Sequence, residues 1–562
     1  MLSVKPDVSV DKTLFVPPIS KFNHDILREI FTWNANAFDD PAFRALTATR
    51  WTSQVCQSWR SCLLDSPTLW ARLIDIDELN QKSSDWREEV LRRSNGCLLW
   101  LHATLEYSDA DSGTTELTPG RTFFFTVLDA HWDRLQRLQV STDQTLEEAR
   151  ADPAWRPFLR PAPNLQSCTV VFSDWDENKA LSSPMTLFAN SAPGLRYFQA
   201  GYLSVHLDSP WFSQLRGLQL PCFVTITSAI TTLRSMPLLE FLSISGLRSQ
   251  RPPSNLTIVT LPRLNQLNVT QTPFRVILDF LKHMRPSPSC ILDMSATLGK
   301  EPKALHDIIS DAHSILSPYI RQYLTHYLMT QFDLTVTSHF VCLTDTTPNT
   351  PDDKADLTIA LRSSSQFTSD PLELASLWIP LIFHNADFSC ILCVDLDLPI
   401  LSRQIALRYL PIFTSLSSLV ELDLAKEHTL RMFLDISDRS SPLFPSLKIL
   451  QISVLEVLRP SDHPGNGDRG ALLQFMCHRR EEGLYLEELR FLEAFREIGR
   501  DMRFLEEYIG LRVGWEENGE KVEYICGSGN AEIILASIGI EIEEDSGSDL
   551  DLDVDSGKCI VV

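Results

Sequence analysis

The sequence predicts an α/β protein: a short all-helical N-terminal module followed by an irregular solenoid of repeats with a curved parallel sheet. Three observations carry that expectation. Apolar residues between 22 and 70 recur at the spacing of a helix. From about residue 130 an apolar residue is followed, copy after copy, by apolar residues three and five further on. In every copy the residue between the last two is polar, the alternation of a strand with one buried and one wet face. The chain has 562 residues, room for three to four domains at roughly 150 residues each unless a repeat array absorbs the length. The expected organisation is an N-terminal extension (1–18), the helical module (19–77), a linker or capping segment (78–129) and the repeat array (130–510). An irregular insertion interrupts the array at 297–388, and a C-terminal segment (511–540) precedes an acidic tail (541–562).

The helical module opens at Phe22-Asn23. Asn23 is placed to cap the free N–H groups of a helix, and Phe22 to staple against Leu27. Ile26, Leu27, Ile30 and Phe31 form its apolar stripe. A second helix is expected through Trp51, Val55, Trp59 and Leu63, stopping before Ser66-Pro67. There Ser66 can cap, and Pro67 can open a third helix carrying Leu69 and Trp70. Three short helices enclose only a small core, so the module needs a partner or the adjoining domain to complete its burial.

The repeat runs through Leu135/Leu138/Val140, Leu165/Cys168/Val170, Leu195/Phe198/Ala200, Leu215/Leu218/Leu220, Leu239/Leu242/Ile244 and Leu264/Leu267/Val269. It resumes at Ile391/Val394/Leu396, Leu419/Leu422/Leu424, Leu447/Leu450/Ile452 and Leu486/Leu489/Phe491. The spacing between starts is close to a leucine-rich-repeat period with loose insertions. The residues expected to point away from the core are Gln139, Thr169, Gln199, Gln219, Ser243, Asn268, Asp395, Asp423, Gln451 and Arg490, all polar. Between strands, Thr272-Pro273 can cap and start a helix through Ile277, Leu278 and Leu281 that ends near Pro286. In the insertion a helix is expected from Ala304 to Leu328, broken near Pro318, with strands at Phe332–Val336 and Leu357–Leu361 and a loop at Thr344–Asp356.

The pieces Pro18-Ile19, Asp25-Ile26-Leu27-Arg28-Glu29-Ile30-Phe31, Val55-Cys56-Gln57-Ser58-Trp59-Arg60 and Ser66-Pro67-Thr68-Leu69-Trp70 occur in an order and spacing similar to the F-box of large fungal F-box protein families with C-terminal leucine-rich repeats. The match covers about a tenth of the chain, and Phe22-Asn23 stands where the family opens its first helix with Leu-Pro. The resemblance implies docking on the Skp-type adaptor of a cullin–RING ubiquitin ligase of the SCF type. It implies adaptor contacts among Ile26, Leu27, Ile30, Phe31, Val55 and Trp59, some of which must instead be core. It also implies a non-catalytic receptor that binds an unidentified protein target through the repeats and works by proximity. The ten outward polar residues are the expected target-facing surface, suited to a polar or basic target. The alternative is an interaction scaffold whose F-box-like segment only caps the repeats.

Charge and composition exclude other classes. Fifty basic against 73 acidic residues leave a net charge of −23, which argues against a nucleic-acid binder. Eight carboxylates crowd between Glu541 and Asp555 and predict a solvated tail, in which Ser546 and Ser548 are candidate phosphorylation positions. No apolar run is long enough to cross a membrane. The terminal Cys559-Ile560-Val561-Val562 has the form of a prenylation signal, but its final Val is atypical and its flank is acidic, so no membrane partner is expected unless Cys559 is lipidated. Twelve scattered cysteines and the absence of a secretory pattern lead to an expectation of free thiols in the cytoplasm or nucleus. On that expectation the sequons at Asn255 and Asn268 are chance matches.

Neither cofactor nor metal is expected. Gly465-Asn466-Gly467-Asp468-Arg469-Gly470 spells a dinucleotide fingerprint and precedes a helix, Ala471 to Arg480, but lacks a strand immediately before it. Cys390 and Cys393 have zinc-like spacing with only His384 nearby, short of four ligands. No nucleophile elbow, zinc helix or phosphate loop occurs, so the chain itself is not expected to be an enzyme.

Overall fold

Strand alternation and short capped helices organise the chain. A computed structural model describes residues 22–36, 44–81, 83–105, 118–172, 184–201, 203, 205–220, 224–249, 256–298, 305–337, 340–348, 357–363, 379, 383, 388–437, 442–454, 470–492, 503–517 and 520–528. The N-terminal extension, the acidic tail with Cys559, His384, Asn255 and all but the last glycine of the Gly465–Gly470 motif lie outside the described residues. The result is a mixed α/β protein with long, mostly parallel sheet structure. It divides into two compact units, Met1–Leu328 with His339–Asp345 and Asn349–Ala386, and Met329–Ser338 with Thr346–Pro348 and Asp387–Val562.

The first unit opens with α1 (His24–Asn34), α2 (Ala45–Thr52), α3 (Gln57–Leu64) and α4 (Pro67–Trp70). Then come β1 (Ile74–Asp75), α5 (Asp85–Arg93), β2 (Leu99–Leu105), α6 (Pro119–Ala130), β3 (Leu135–Thr142), α7 (Leu146–Ala151), β4 (Ser167–Phe172), β5 (Tyr197–Gly201) and β6 (Gly217–Leu220). They are followed by α8 (Ile226–Leu233), β7 (Phe241–Ser245), β8 (Val259–Leu261), β9 (Gln266–Pro273), α9 (Phe274–Leu281), β10 (Met284–Pro286), β11 (Ile291–Leu298) and α10 (Leu305–His326). After β12 (Gln331–Val336), which belongs to the second unit, β13 (Phe340–Asp345) and β14 (Thr358–Ser363) complete the first.

Strands β1, β2, β3, β4, β5, β6, β7, β9, β11 and β14 pair in that order, all parallel, and β13 closes antiparallel on β14. A short parallel pair, β8 with β10, stands apart. One sheet face is the core: Leu138, Val140, Cys168, Val170, Phe198, Leu218, Leu242, Ile244, Leu267 and Val269 are all buried. Aromatic side chains from short 3₁₀ turns fill the space beside it. Trp155 lies 5.3 Å from Phe172, Trp211 lies 4.9 Å from Phe198, and Trp211 stacks on Phe212 at 4.1 Å, measured between ring centroids. Each buried ring contributes about 1.5–3 kcal/mol relative to exposure.

The second unit contains β12, β15 (Cys393–Asp397), α11 (Arg403–Ser415), β16 (Glu421–Lys426), α12 (His428–Ile436), β17 (Ile449–Val454), α13 (Ala471–Glu481), β18 (Glu488–Phe491), β19 (Arg512–Glu517) and β20 (Glu520–Ile525). Its strands β12, β15, β16, β17, β18 and β19 are parallel neighbours, and β20 pairs antiparallel with β19. Phe413, Phe433 and Phe444 pack edge to face beneath them.

Several expectations need correction. The single helix expected through Trp51, Val55, Trp59 and Leu63 is two, α2 and α3. Between them Thr52 and Ser53 turn their hydroxyls onto the carbonyls of Ala48 and Arg50, and Cys56 is extended at φ −158°. Ser66 does not cap α4; its hydroxyl donates to the Cys62 carbonyl at 2.6 Å. Thr272 lies in β9, where its hydroxyl accepts from Leu247 N–H at 3.0 Å, and α9 starts only after Pro273.

Pro318 does not break α10. Ile309, Ala312, Leu316 and Ile320 are buried on either side of it, and Tyr323 and Tyr327 anchor the second half by hydrogen bonds to Asp345 and Ser289. The expected loop at Thr344–Asp356 begins later, because Thr344 and Asp345 end β13. The segment 78–129 is more than a linker: β2 joins the sheet between β1 and β3. The C-terminal segment likewise carries β19 and β20.

Candidate functional site

The helical module presents two kinds of apolar residue. In α1, the Asn23 side chain accepts the Ile26 N–H at 2.9 Å and fixes the helix start. Leu27 and Phe31 then face inward, and Phe31 meets Trp59 of α3 edge to face at 5.2 Å. One step around the helix, Phe22, Ile26, Ile30 and Trp33 follow the i, i+4, i+8, i+11 spacing of a second stripe. Ile26 is 47% and Trp33 72% exposed, while Phe22 is also open and Ile30 half-buried. At the end of α2 and in the turn beyond it, Trp51 and Val55 are 69% and 63% exposed. Single exposed apolar residues are ordinary; two open tryptophans with Ile26, Phe22 and Val55 on one small module mark surface suited to another chain.

Of the residues expected to contact an adaptor, Ile26 and Val55 are therefore exposed, and Ile30 and Trp59 half-buried. Leu27 and Phe31 are core, only 3% exposed, and cannot reach a second chain while the module is closed. Trp33 and Trp51, which are not among the residues expected to contact an adaptor, are exposed as well, and Trp33 extends the Ile26–Ile30 spacing by one helical turn.

The module is not a free appendage. The Glu78 carboxylate accepts the first N–H groups of α2, the Trp100 N–H donates to the Ala71 carbonyl at 2.9 Å, and Trp70 packs edge to face on Trp86 of α5. Arg93 lies over the Trp70 ring at 4.6 Å.

The expected outward polar residues fall in register. In the first unit His102, Gln139, Thr169, Gln199, Gln219, Ser243, Asn268 and Asp293 are successive partners across β2, β3, β4, β5, β6, β7, β9 and β11. Gln199 is exposed and the other expected residues of this row are half-buried. In the second unit Asp333, Asp395, Asp423, Gln451, Arg490 and Gly514 form the corresponding row from β12 to β19. Asp395 is exposed; Asp423, Gln451 and Arg490 are half-buried. Arg490 is held by Glu421 and Glu488, and Glu488 also takes Arg512 at 3.1 Å. Burial, reinforced by the charges of Glu421 and Asp395 against the opposing pull of Arg490, pushes the Asp423 carboxyl up to about 6.

Among the described residues one group brings three potential metal-binding side chains together, Asp75, Asp77 and His102, with their atoms within 4.8 Å of one another. Those carboxylates already serve the backbone. Asp75 accepts the Asp77 N–H at 3.0 Å, Asp77 accepts the Thr104 N–H at 3.0 Å, and His102 Nδ1 lies 3.3 Å from Asp75. Burial pulls the imidazole pKa down, and the Asp75 bond and the two carboxylate charges outweigh it, so His102 titrates above its ordinary value. Three ligands are one short of a closed tetrahedral site. The group was not legible in the sequence, because His102 stands 27 residues from Asp75.

Among the described residues Cys390 and Cys393 belong to no group of three or more potential metal ligands, and the ten cysteines among the described residues are free thiols. No helix among the described residues is long and apolar enough to cross a membrane. Comparison with known proteins returns neither a matching protein-family model nor a matching curated protein.

Proposed function

We propose that the chain is the substrate-recognition subunit of an SCF-type cullin–RING ubiquitin ligase, non-catalytic in itself and acting in the cytoplasm or nucleus. The helical module docks on the Skp-type adaptor, and the parallel strands, taken as leucine-rich repeats, bind a protein target. The observation that carries this reading is the division of labour within α1. Leu27 and Phe31 close the module's own core, while Ile26, Ile30 and Trp33 remain as a separate apolar stripe. The ordered F-box-like pieces supply the identity of the partner; the in-register strands support the repeat reading.

Co-expression with a Skp-type adaptor and size-exclusion chromatography test the proposal. The intact chain is expected to co-elute with the adaptor, and Ile26→Asp with Val55→Asp to abolish co-elution while leaving the thermal midpoint nearly unchanged, since exposed substitutions shift stability by about 0.5 kcal/mol or less. Leu27→Ala behaves differently: it empties core and costs about 2–5 kcal/mol of stability. A chain that never co-elutes with the adaptor sinks the ligase reading.

A second reading is favoured by the ties of Glu78, Ala71 and Trp70 to the adjoining sheet and α5. In it the module caps the sheet of an interaction scaffold and binds no adaptor. Under that reading Ile26→Asp and Val55→Asp leave every interaction of the chain unchanged.

A further inference from the structure

One turn and one strand bring three metal-ligating side chains to a single point. Asp75 ends β1, Asp77 lies in the turn after it, and His102 stands in the middle of β2 as the direct strand partner of Asp75. The backbone lays the turn onto the strand, for the Ile76 N–H donates to the His102 carbonyl at 2.9 Å. Both carboxylates then face the same ring atom. Asp75 Oδ1 is 3.3 Å and Asp77 Oδ2 is 3.9 Å from His102 Nδ1.

These distances suit a proton poorly. A charge-assisted N–H···O bond is about 2.7–2.9 Å long, and the single proton that Nδ1 can carry points at only one of the two carboxylates. A metal ion fits them better. Donors each about 2.0–2.2 Å from a zinc-sized ion stand roughly 3–4 Å from one another. The two carboxylate atoms lie within 4.8 Å of each other, and the Asp77 side chain, 41% exposed, has room to turn inward.

The donors are also held from behind. Asp75 Oδ1 accepts the Asp77 N–H, and Asp77 Oδ1 accepts the Thr104 N–H, which leaves Asp77 Oδ2 directed at the imidazole. Supporting hydrogen bonds of this kind fix the orientation of ligands in metal sites. The side chains of Asp75 and His102 are each only 11% exposed, so the group is closed on the protein side and open to solvent at Asp77. An ion can enter there, and water can take the fourth place of a tetrahedron. One imidazole nitrogen with two carboxylates suits a borderline divalent ion such as zinc. Calcium, which takes about six to eight oxygens, is poorly served by it.

We propose that Asp75, Asp77 and His102 bind one divalent transition-metal ion of the zinc type. The two carboxylates balance its charge. The ion fastens the turn after β1 to β2, one residue before Glu78, whose carboxylate holds the start of α2. It therefore sits where the helical module joins the sheet, and it does so whether or not that module docks on an adaptor.

The test titrates the full chain with cobalt(II), a visible stand-in for zinc. Ligation by any of the cysteines would add a strong near-ultraviolet thiolate band, which a site of carboxylates and imidazole lacks. Visible absorption is expected to saturate without that band and to vanish when zinc is added. Asp77→Asn and His102→Gln should each weaken it at least about tenfold. Asp77→Asn keeps the acceptor for Thr104 and changes an exposed side chain, so it reports on the ion even if His102→Gln is unstable. In thermal melts zinc should raise the midpoint of the parent and leave that of Asp77→Asn unchanged. No saturable cobalt absorption, or absorption of equal affinity in the parent and Asp77→Asn, overturns the proposal. An equal zinc-induced rise in the two proteins does so too, since it places the bound ion elsewhere.

Discussion

Glu78 caps a helix that begins at Ala45: its carboxylate accepts the main-chain N–H of Leu46 at 2.7 Å and that of Thr47 at 3.1 Å. The local N-cap, Arg44, offers no side-chain bond to α2. A carboxylate 31 to 32 residues away in sequence therefore satisfies orphan donors and favours the positive end of the helix. It also ties the helical module to the turn after β1.

Glu78→Ala is expected to remove both bonds and cost about 1–2 kcal/mol. The expected signature is local. Limited proteolysis in the segment preceding α2 should accelerate, and the thermal midpoint should fall by a few degrees, while Glu78→Gln, which keeps one acceptor oxygen, loses less. Unchanged cleavage and melting would show that α2 is held by its buried face alone. If the module docks on an adaptor, Glu78→Ala should also weaken co-elution, because Trp51 at the far end of α2 moves with the helix.

Tyr323 and Asp345 provide a second long-range tie. The phenol donates to the carboxylate at 2.6 Å, and Asp345 is only 2% exposed. Tyr323→Phe keeps the ring in the core and deletes one hydrogen bond to a charged group, at a cost of about 1.5–3 kcal/mol. Because the bond anchors the half of α10 beyond Pro318, hydrogen exchange should rise from residue 319 to 326 and much less before Pro318. Uniform exchange along α10 would remove this account of why the proline is tolerated.

Much of the strand architecture was legible because each repeat states its own register. At Leu242, Ser243 and Ile244, for example, a polar residue between two apolar ones admits one arrangement on a sheet with a single buried face. The same test could have found β2, where Leu101 and Ala103 flank His102 in the identical pattern. β11 breaks it, with Ser289 standing where the leading apolar residue belongs.

The exposed stripe of α1 was only half legible. Ile26 and Leu27 are adjacent and equally apolar, and only packing against Trp59 and Cys62 of α3 decides which of the two α1 stripes is buried. The turn between α2 and α3 was hidden for a related reason. Trp51, Val55, Trp59 and Leu63 keep an unbroken helical spacing in the sequence while the backbone changes direction between them.

Asp423 makes the acidic row a measurable burden on folding. Its carboxyl, pushed up to about 6 by burial and by the charges of Glu421 and Asp395, has an unfolded value near 3.8. The native state therefore binds the proton more tightly than the unfolded chain does. By linkage, ionised Asp423 lowers stability above pH 6, and the penalty is relieved as pH falls from about 6 to about 4. Asp423→Asn is nearly isosteric and uncharged, so it should stabilise the protein at pH 7.5 by about 1 kcal/mol, a figure reduced for the water that still reaches a half-buried group. The advantage should shrink as the pH falls and close at pH ~3.5, where Asp423 is protonated in most native and unfolded chains alike. Thermal melts of the two proteins at the two pH values test this directly. A variant no more stable than the parent at pH 7.5 would mean that Arg490 and water already compensate Asp423. An undiminished advantage at pH ~3.5 would assign the gain to the amide's hydrogen bonding rather than to the lost charge.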